Sequence, residues 1–134
     1  RLTICDISHI IILNIQRKGI MFEIVFYQKE DGTKPAKEFI LSLSKPIKAK
    51  IATKIDILKN FGNFLREPHS KPLNDGIFEL RVQSEANSIR ILYFFFIGNR
   101  IVLTNGFIKK TQKTPVSEIE LAKKYRKDYI EKRS

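Results

Sequence analysis

The stretch GFIKKTQKTP, residues 106–115, brings Lys109, Lys110 and Lys113 to the end of a long apolar segment, IRILYFFFIGNRIVLTN. No carboxylate lies within it to neutralise them. Two arginines belong to the same part of the chain: Arg81 in IFELRVQ and Arg90 at the start of SIRILYFFF. Side chains alternate along a strand, so Ile77, Glu79 and Arg81 share one face while Phe78, Leu80 and Val82 take the other. In an antiparallel meander the start of one strand lies beside the end of the next. That places Arg90 near Lys109 and Lys110, with Arg81 across from it. A plain alternative pairs the arginines with Glu79 and Glu85 and leaves the lysines solvated. Convergence of basic groups without equal acids points instead to a polyanionic ligand.

Such a cluster can cleave a phosphodiester without metal. In RNA the 2′-OH is an internal nucleophile, so a protein need only orient it, neutralise the developing phosphorane and move protons. Arginine suits the charged oxygens because its planar fork donates bidentately and stays protonated. A lysine crowded by other cations has a lowered pKa and can serve as acid or base. Glu79, the one carboxylate placed beside the cluster, is a second candidate base; an ion pair with Arg81 is its other role. The expected catalytic set is Arg81, Arg90, Lys109, Lys110 and Glu79, with Lys71 and Lys113 as RNA contacts.

Other chemistries find no matching pattern. His9 and His69 lie far apart and the single cysteine is Cys5, so no zinc-ligand spacing exists. A magnesium site needs clustered carboxylates, and Asp75 with Glu79-Leu-Arg81 is the nearest approach. No Gly-rich phosphate loop is present. No metal or other cofactor is expected.

Composition agrees with an anionic partner. The formal net charge is +11 and the isoelectric point is near 9.9, which suits nucleic acid, ribosome, an acidic membrane surface or an acidic protein. Residues 1–20 carry three positive and one negative charge, leaving +9 on the rest, of which residues 109–134 supply +5. With 134 residues, 43% of them hydrophobic and ten of them Phe, the chain can bury one core. A lone cysteine excludes an intrachain disulfide framework and suits a reducing, cytoplasmic compartment. The apolar runs IIIL and ILYFFFI fall far short of the roughly 20 residues that span a membrane.

The elements that must hold the cluster follow in order. FEIVFY (22–27) reads as a strand that ends at a turn marked by Asp31-Gly32. Pro35 opens a helix with Ala36, Phe39, Ile40 and Leu43 at helical spacing. Ser44 caps a second helix whose stripe is Ile47, Ile51, Ile55 and Leu58. Residues 63–76 read as loop. Three strands, 77–83, 88–96 and 100–108, follow with connections of about four and three residues, which favours antiparallel hairpins. ILYFFFI does not alternate, so its strand is central and covered on both faces. Thr114 caps a last helix with Pro115 at its first position and Val116, Ile119, Ala122 and Tyr129 inside. The order β-α-α-β-β-β-α defines an α+β domain, a mostly antiparallel sheet backed by a helical hairpin.

Three of these segments together resemble the RelE/ParE toxin superfamily, especially its phage-derived HigB-like subgroup. They are LNDGIFELR, IRILY and GFIKKTQKTP, and the resemblance covers residues 22–130. It implies a small microbial-ribonuclease-like fold. It also implies the toxin of a type II toxin–antitoxin system, an endoribonuclease (mRNA interferase) that cleaves mRNA, usually on the ribosome. A cognate antitoxin would be its partner. Arg81, Arg90, Lys109 and Lys110 fall on the family's basic site positions, and Lys113 lies beside them. Ile89 stands where an aromatic often precedes the strand arginine, which argues against base stacking there. Two other readings stay open: a ParE-like gyrase inhibitor without RNA chemistry, and a non-toxic phage nucleic-acid-binding accessory protein. Residues 1–20 match nothing in the family. With Met21 the only methionine and the core pattern starting at Phe22, residues 1–20 are expected to be a non-native or upstream-translated extension of a toxin domain at 21–134.

Overall fold

In the computed structural model, which describes residues 21–133, a short strand and two helices come before a run of four strands and a last helix. The expected extension at residues 1–20 lies outside the described residues. The elements are β1 (Glu23–Phe26), α1 (Pro35–Leu41), α2 (Lys45–Phe61), a 3-10 turn (Gly62–Phe64), β2 (Ser70–Pro72), β3 (Phe78–Gln83), β4 (Ser88–Phe96), β5 (Arg100–Lys109) and α3 (Val116–Glu131). They form the expected α+β domain, with one added strand: β2 lies in the segment read from sequence as loop. The sheet order is β1-β5-β4-β3-β2, antiparallel except for the parallel β1–β5 pair.

Local chemistry sets the helix bounds. Pro35 occupies the first turn of α1, and the Glu38 carboxylate accepts the Lys34 N–H at 3.0 Å, satisfying a donor that the helix leaves free. The Ser42 hydroxyl donates to the Phe39 carbonyl at 2.6 Å where the helix stops. Ser44 does sit at the N-cap of α2, but its side chain makes no capping bond. At the other end Gly62 adopts φ +55, and a Cβ there would overlap the Phe22 ring. Only glycine meets both demands.

The two faces of the sheet have separate cores. The α1–α2 hairpin covers Leu80, Val82, Ile89, Ile91, Tyr93 and Leu103 with Ile51 and Leu58. Helix α3 covers the opposite face, where Ala122 and Tyr129 meet Ile77, Leu92, Phe94 and Val102. Burial of Ile91 to Phe94 on both sides therefore has two different causes, while Ile97, beyond the end of β4, is exposed. Val116 departs from the expected inner stripe of α3: it precedes the part of the helix that packs on the sheet and is 74% exposed. Gly106 is explained by a neighbour, since a Cβ on it would overlap the Phe39 ring of α1.

The edge strand β2 is fixed from both sides. Tyr93 and Ser70 share a buried hydroxyl–hydroxyl bond of 2.5 Å, and burial pushes the Tyr93 phenol up to about 12. The Arg81 N–H donates to the His69 carbonyl at 2.8 Å. On α2 the Lys54 ammonium lies 2.6 Å from His69 Nδ1 and donates to it, which requires a neutral ring. Burial first, and then the Lys54 charge, lower the His69 pKa. The unfolded chain thus takes up a proton near the ordinary imidazole value of about 6.5 while the folded chain resists it. Stability is complete above that value and falls as the pH drops below it. Thermal unfolding at pH 7.5 and 5.5 checks this: wild type should lose more melting temperature than His69→Asn, and equal losses would count against the pair.

Candidate functional site

The site is the end of the α3-facing side of the sheet that the helix leaves uncovered. Cross-strand register puts Arg81 directly opposite Arg90, and Lys71 opposite Glu79. Opposed residues of antiparallel strands project to the same face. Lys109 reaches that face through a bulge. Leu92 pairs with Asn105 but Tyr93 pairs with Leu103, so Thr104 is an extra residue in β5. Leu103 packs under the hairpin, yet Phe107 packs under α3. One inserted residue reverses the alternation for the rest of the strand. The Thr104 hydroxyl lies 3.1 Å from the Leu92 carbonyl oxygen and 2.7 Å from Asn105 Oδ1, and Asn105 Nδ2 donates to Glu118 Oε1 at 3.0 Å. The bulge is thereby locked to the start of α3.

Glu79 lies beneath the cluster at 1% exposure. Its Oε2 accepts from Arg81 Nε at 2.9 Å and lies 3.6 Å from Arg90 Nε. Its Oε1 accepts from the Thr114 hydroxyl at 2.5 Å. Both oxygens are therefore engaged. Arg90 is 8% exposed; its Nη1 donates to the Ile89 carbonyl at 3.1 Å, while its Nε is buried without a hydrogen-bond partner. Burial lowers the Arg90 pKa, Glu79 opposes that shift and Arg81 adds to it. A cation held this way gains from an incoming anion, which restores the solvation it has lost. Lys109 is lowered too, first by burial and then by Arg90, with Arg81 and Lys71 contributing and Glu79 opposing.

Two adjoining clefts open over this arrangement. One, of about 660 Å³, is lined by Ser88, Arg90, Lys109, Lys110, Thr111 and Gln112. The other, of about 320 Å³, includes Lys71, Arg81, Lys109, Gln112, Lys113 and Thr114. Lys109 and Gln112 line both. The structure thus brings together all seven residues singled out from the sequence: six line the clefts and Glu79 underlies them. Ser88, Gln112 and Thr114 are additional. Thr114 is not the helix cap: Pro115 takes that position at φ −58, ψ 136, and α3 starts one residue later.

Several neighbours are excluded from the site by their packing. Ile89 is fully buried under the hairpin. Tyr125 stacks on Tyr27 with ring centroids 4.6 Å apart, and Tyr129 is buried between Phe94 and Phe96. The Asp75 carboxylate pairs with Arg126 at 2.9 Å, away from Glu79's partners. Among the described residues no group of three or more His, Cys, Asp or Glu could hold a metal ion, and no helix is long and apolar enough to cross a membrane.

The β-α-α-β-β-β-α order and the mostly antiparallel five-stranded sheet with helices packed against it are consistent with a RelE-like fold. Residues 38–127 match the family described as phage derived protein Gp49-like (DUF891), and the chain belongs to it. That family lies within the RelE/HigB-like toxin superfamily. A search of curated proteins found no match.

Proposed function

We propose that this chain is the toxin of a type II toxin–antitoxin system, of HigB-like type, and that it is a metal-independent endoribonuclease acting on mRNA, probed most directly by its cleavage products. The observation that carries the reading is the arginine pair. Both guanidiniums are turned toward one buried carboxylate by their Nε groups, and the Arg81 fork edge is left for a ligand at the cleft. A surface serving only solubility would not bury an arginine to 8% exposure with an unsatisfied Nε.

In this mechanism Arg81 and Arg90 neutralise the scissile phosphate and the extra negative charge of the phosphorane. The 2′-oxygen attacks phosphorus, its proton passes to a base, the bond to the 5′-oxygen breaks and that oxygen takes a proton. A 2′,3′-cyclic phosphate and a 5′-hydroxyl result. Lys109, whose pKa is lowered by burial and by Arg90, is the group best suited to move a proton. Lys110 adds charge at the cleft, and Lys71 and Lys113 extend it along the RNA backbone. Glu79 is a candidate base by residue type, but with both oxygens engaged we assign it to holding the arginines. A cognate antitoxin would have to cover a strongly cationic cleft, which calls for an acidic segment.

Brief induction followed by mapping of mRNA 5′ ends tests the reading. New ends at discrete positions are expected. Intact mRNA with an SOS response would replace this reading with gyrase inhibition, and neither effect would leave a nucleic-acid-binding accessory protein.

A further inference from the structure

We infer that Thr114 is a positioning residue that latches the lysine loop to the arginine pair, so that both halves of the cleft engage one RNA strand together; this rests on the RNA reading above. The loop has few other restraints. The Thr111 hydroxyl donates to the Lys113 carbonyl at 2.6 Å, which braces the loop only within itself. Among the described residues, the Thr114–Glu79 bond is the one side-chain hydrogen bond that ties residues 110–114 to the sheet. It joins residues 35 apart in sequence.

Its acceptor makes the bond more than a tether. Glu79 Oε1 takes the threonine hydroxyl while Oε2 faces both arginine Nε groups. A carboxylate is planar, so fixing one oxygen sets the direction of the other. Thr114 thereby orients the anchor of Arg81 and Arg90 and, through the same bond, holds Lys113 in the cleft that Lys71 and Arg81 also line. Pro115 adjoins the bond: as the N-cap of α3 it holds its own φ at −58, which limits the backbone freedom next to Thr114.

The test compares Thr114→Val, which keeps the branched shape and removes the donor, with Thr114→Ser, which keeps the donor. The probe is a single-stranded oligonucleotide with 2′-deoxy sugars throughout, which cannot be cleaved by 2′-OH attack. Its binding is followed by fluorescence anisotropy across a salt series. Thr114→Val should bind about tenfold more weakly, with the slope of log K against log salt reduced by about 0.7 for each phosphate the variant no longer neutralises. Thr114→Ser should restore both. Amide exchange at residues 110–113 should quicken in Thr114→Val and not in Thr114→Ser. A folded Thr114→Val with wild-type slope and exchange overturns the latch. So does a Thr114→Ser that behaves like valine, or a Thr114→Val that fails to fold, since a latch at the loop's end leaves both cores intact. Wild-type protein that binds the probe but leaves natural RNA intact overturns the cleavage reading alone. Exchange at residues 110–113 decides the latch even where the probe does not bind.

Discussion

Arg90→Lys should cleave RNA about a hundredfold more slowly than wild type, the cost of one lost transition-state donor, while remaining folded. Lysine keeps the charge near Glu79 but cannot present two parallel N–H groups to a phosphate. A diffuse positive field would be almost indifferent to that exchange. Arg81→Ala should show a loss of similar size, because Arg81 shares the same carboxylate oxygen from the opposing strand. Lys48→Ala on α2 is the control and should cleave normally. Lys54 does not serve, because its ammonium is bonded to His69. The measurement is the single-turnover rate of the purified proteins on one RNA, with thermal unfolding to verify the fold. Wild-type rates in folded Arg90→Lys and Arg81→Ala would remove the arginines from the site.

The largest stability effect belongs to Glu79→Gln. Removing one charge from a buried ion pair leaves its partners uncompensated and costs about 3 kcal/mol, the low end for such pairs because Arg81 stays partly hydrated. For a domain of this size that corresponds to a fall of about 10 °C in melting temperature. Cleavage should be lost as well, since both forks lose their common anchor. An unchanged melting temperature would mean that the arginines find other partners, and the anchor assignment would fail.

Strand alternation made most of this site readable in advance. Period two is rigid, so Glu79 and Arg81 had to share a face, and short connections had to set Arg90 against Arg81. Face and register carry no information about depth, however. Burial of Glu79 depends on Arg90 and Thr114, which arrive from a neighbouring strand and from a loop. The bulge at Thr104 was equally hidden: it is one residue inside an apolar run, and Lys109 changes faces because of it. β2 escaped notice because three residues ending in Pro72 show no apolar period, and an edge strand tolerates proline. Thr114-Pro115 has the composition of a helix start, but the Thr114 hydroxyl donates to the charged Glu79 and Pro115 takes the N-cap position, so α3 starts one residue later.

The pairing of β1 with β5 sets an order of events during synthesis. Among the described residues β1 pairs only with β5, so Glu23 meets its strand partner once Arg100 has been made, and the α1–α2 hairpin gains its full sheet surface only then. Pairings this distant in sequence are slow to form, and chains emerge from their N-terminal end first. The cleft is later still, because its lining includes residue 114. A growing chain therefore carries these arginines and lysines out of the ribosome before the sheet brings them together. The candidate cleft is complete only once β5 and its loop have closed.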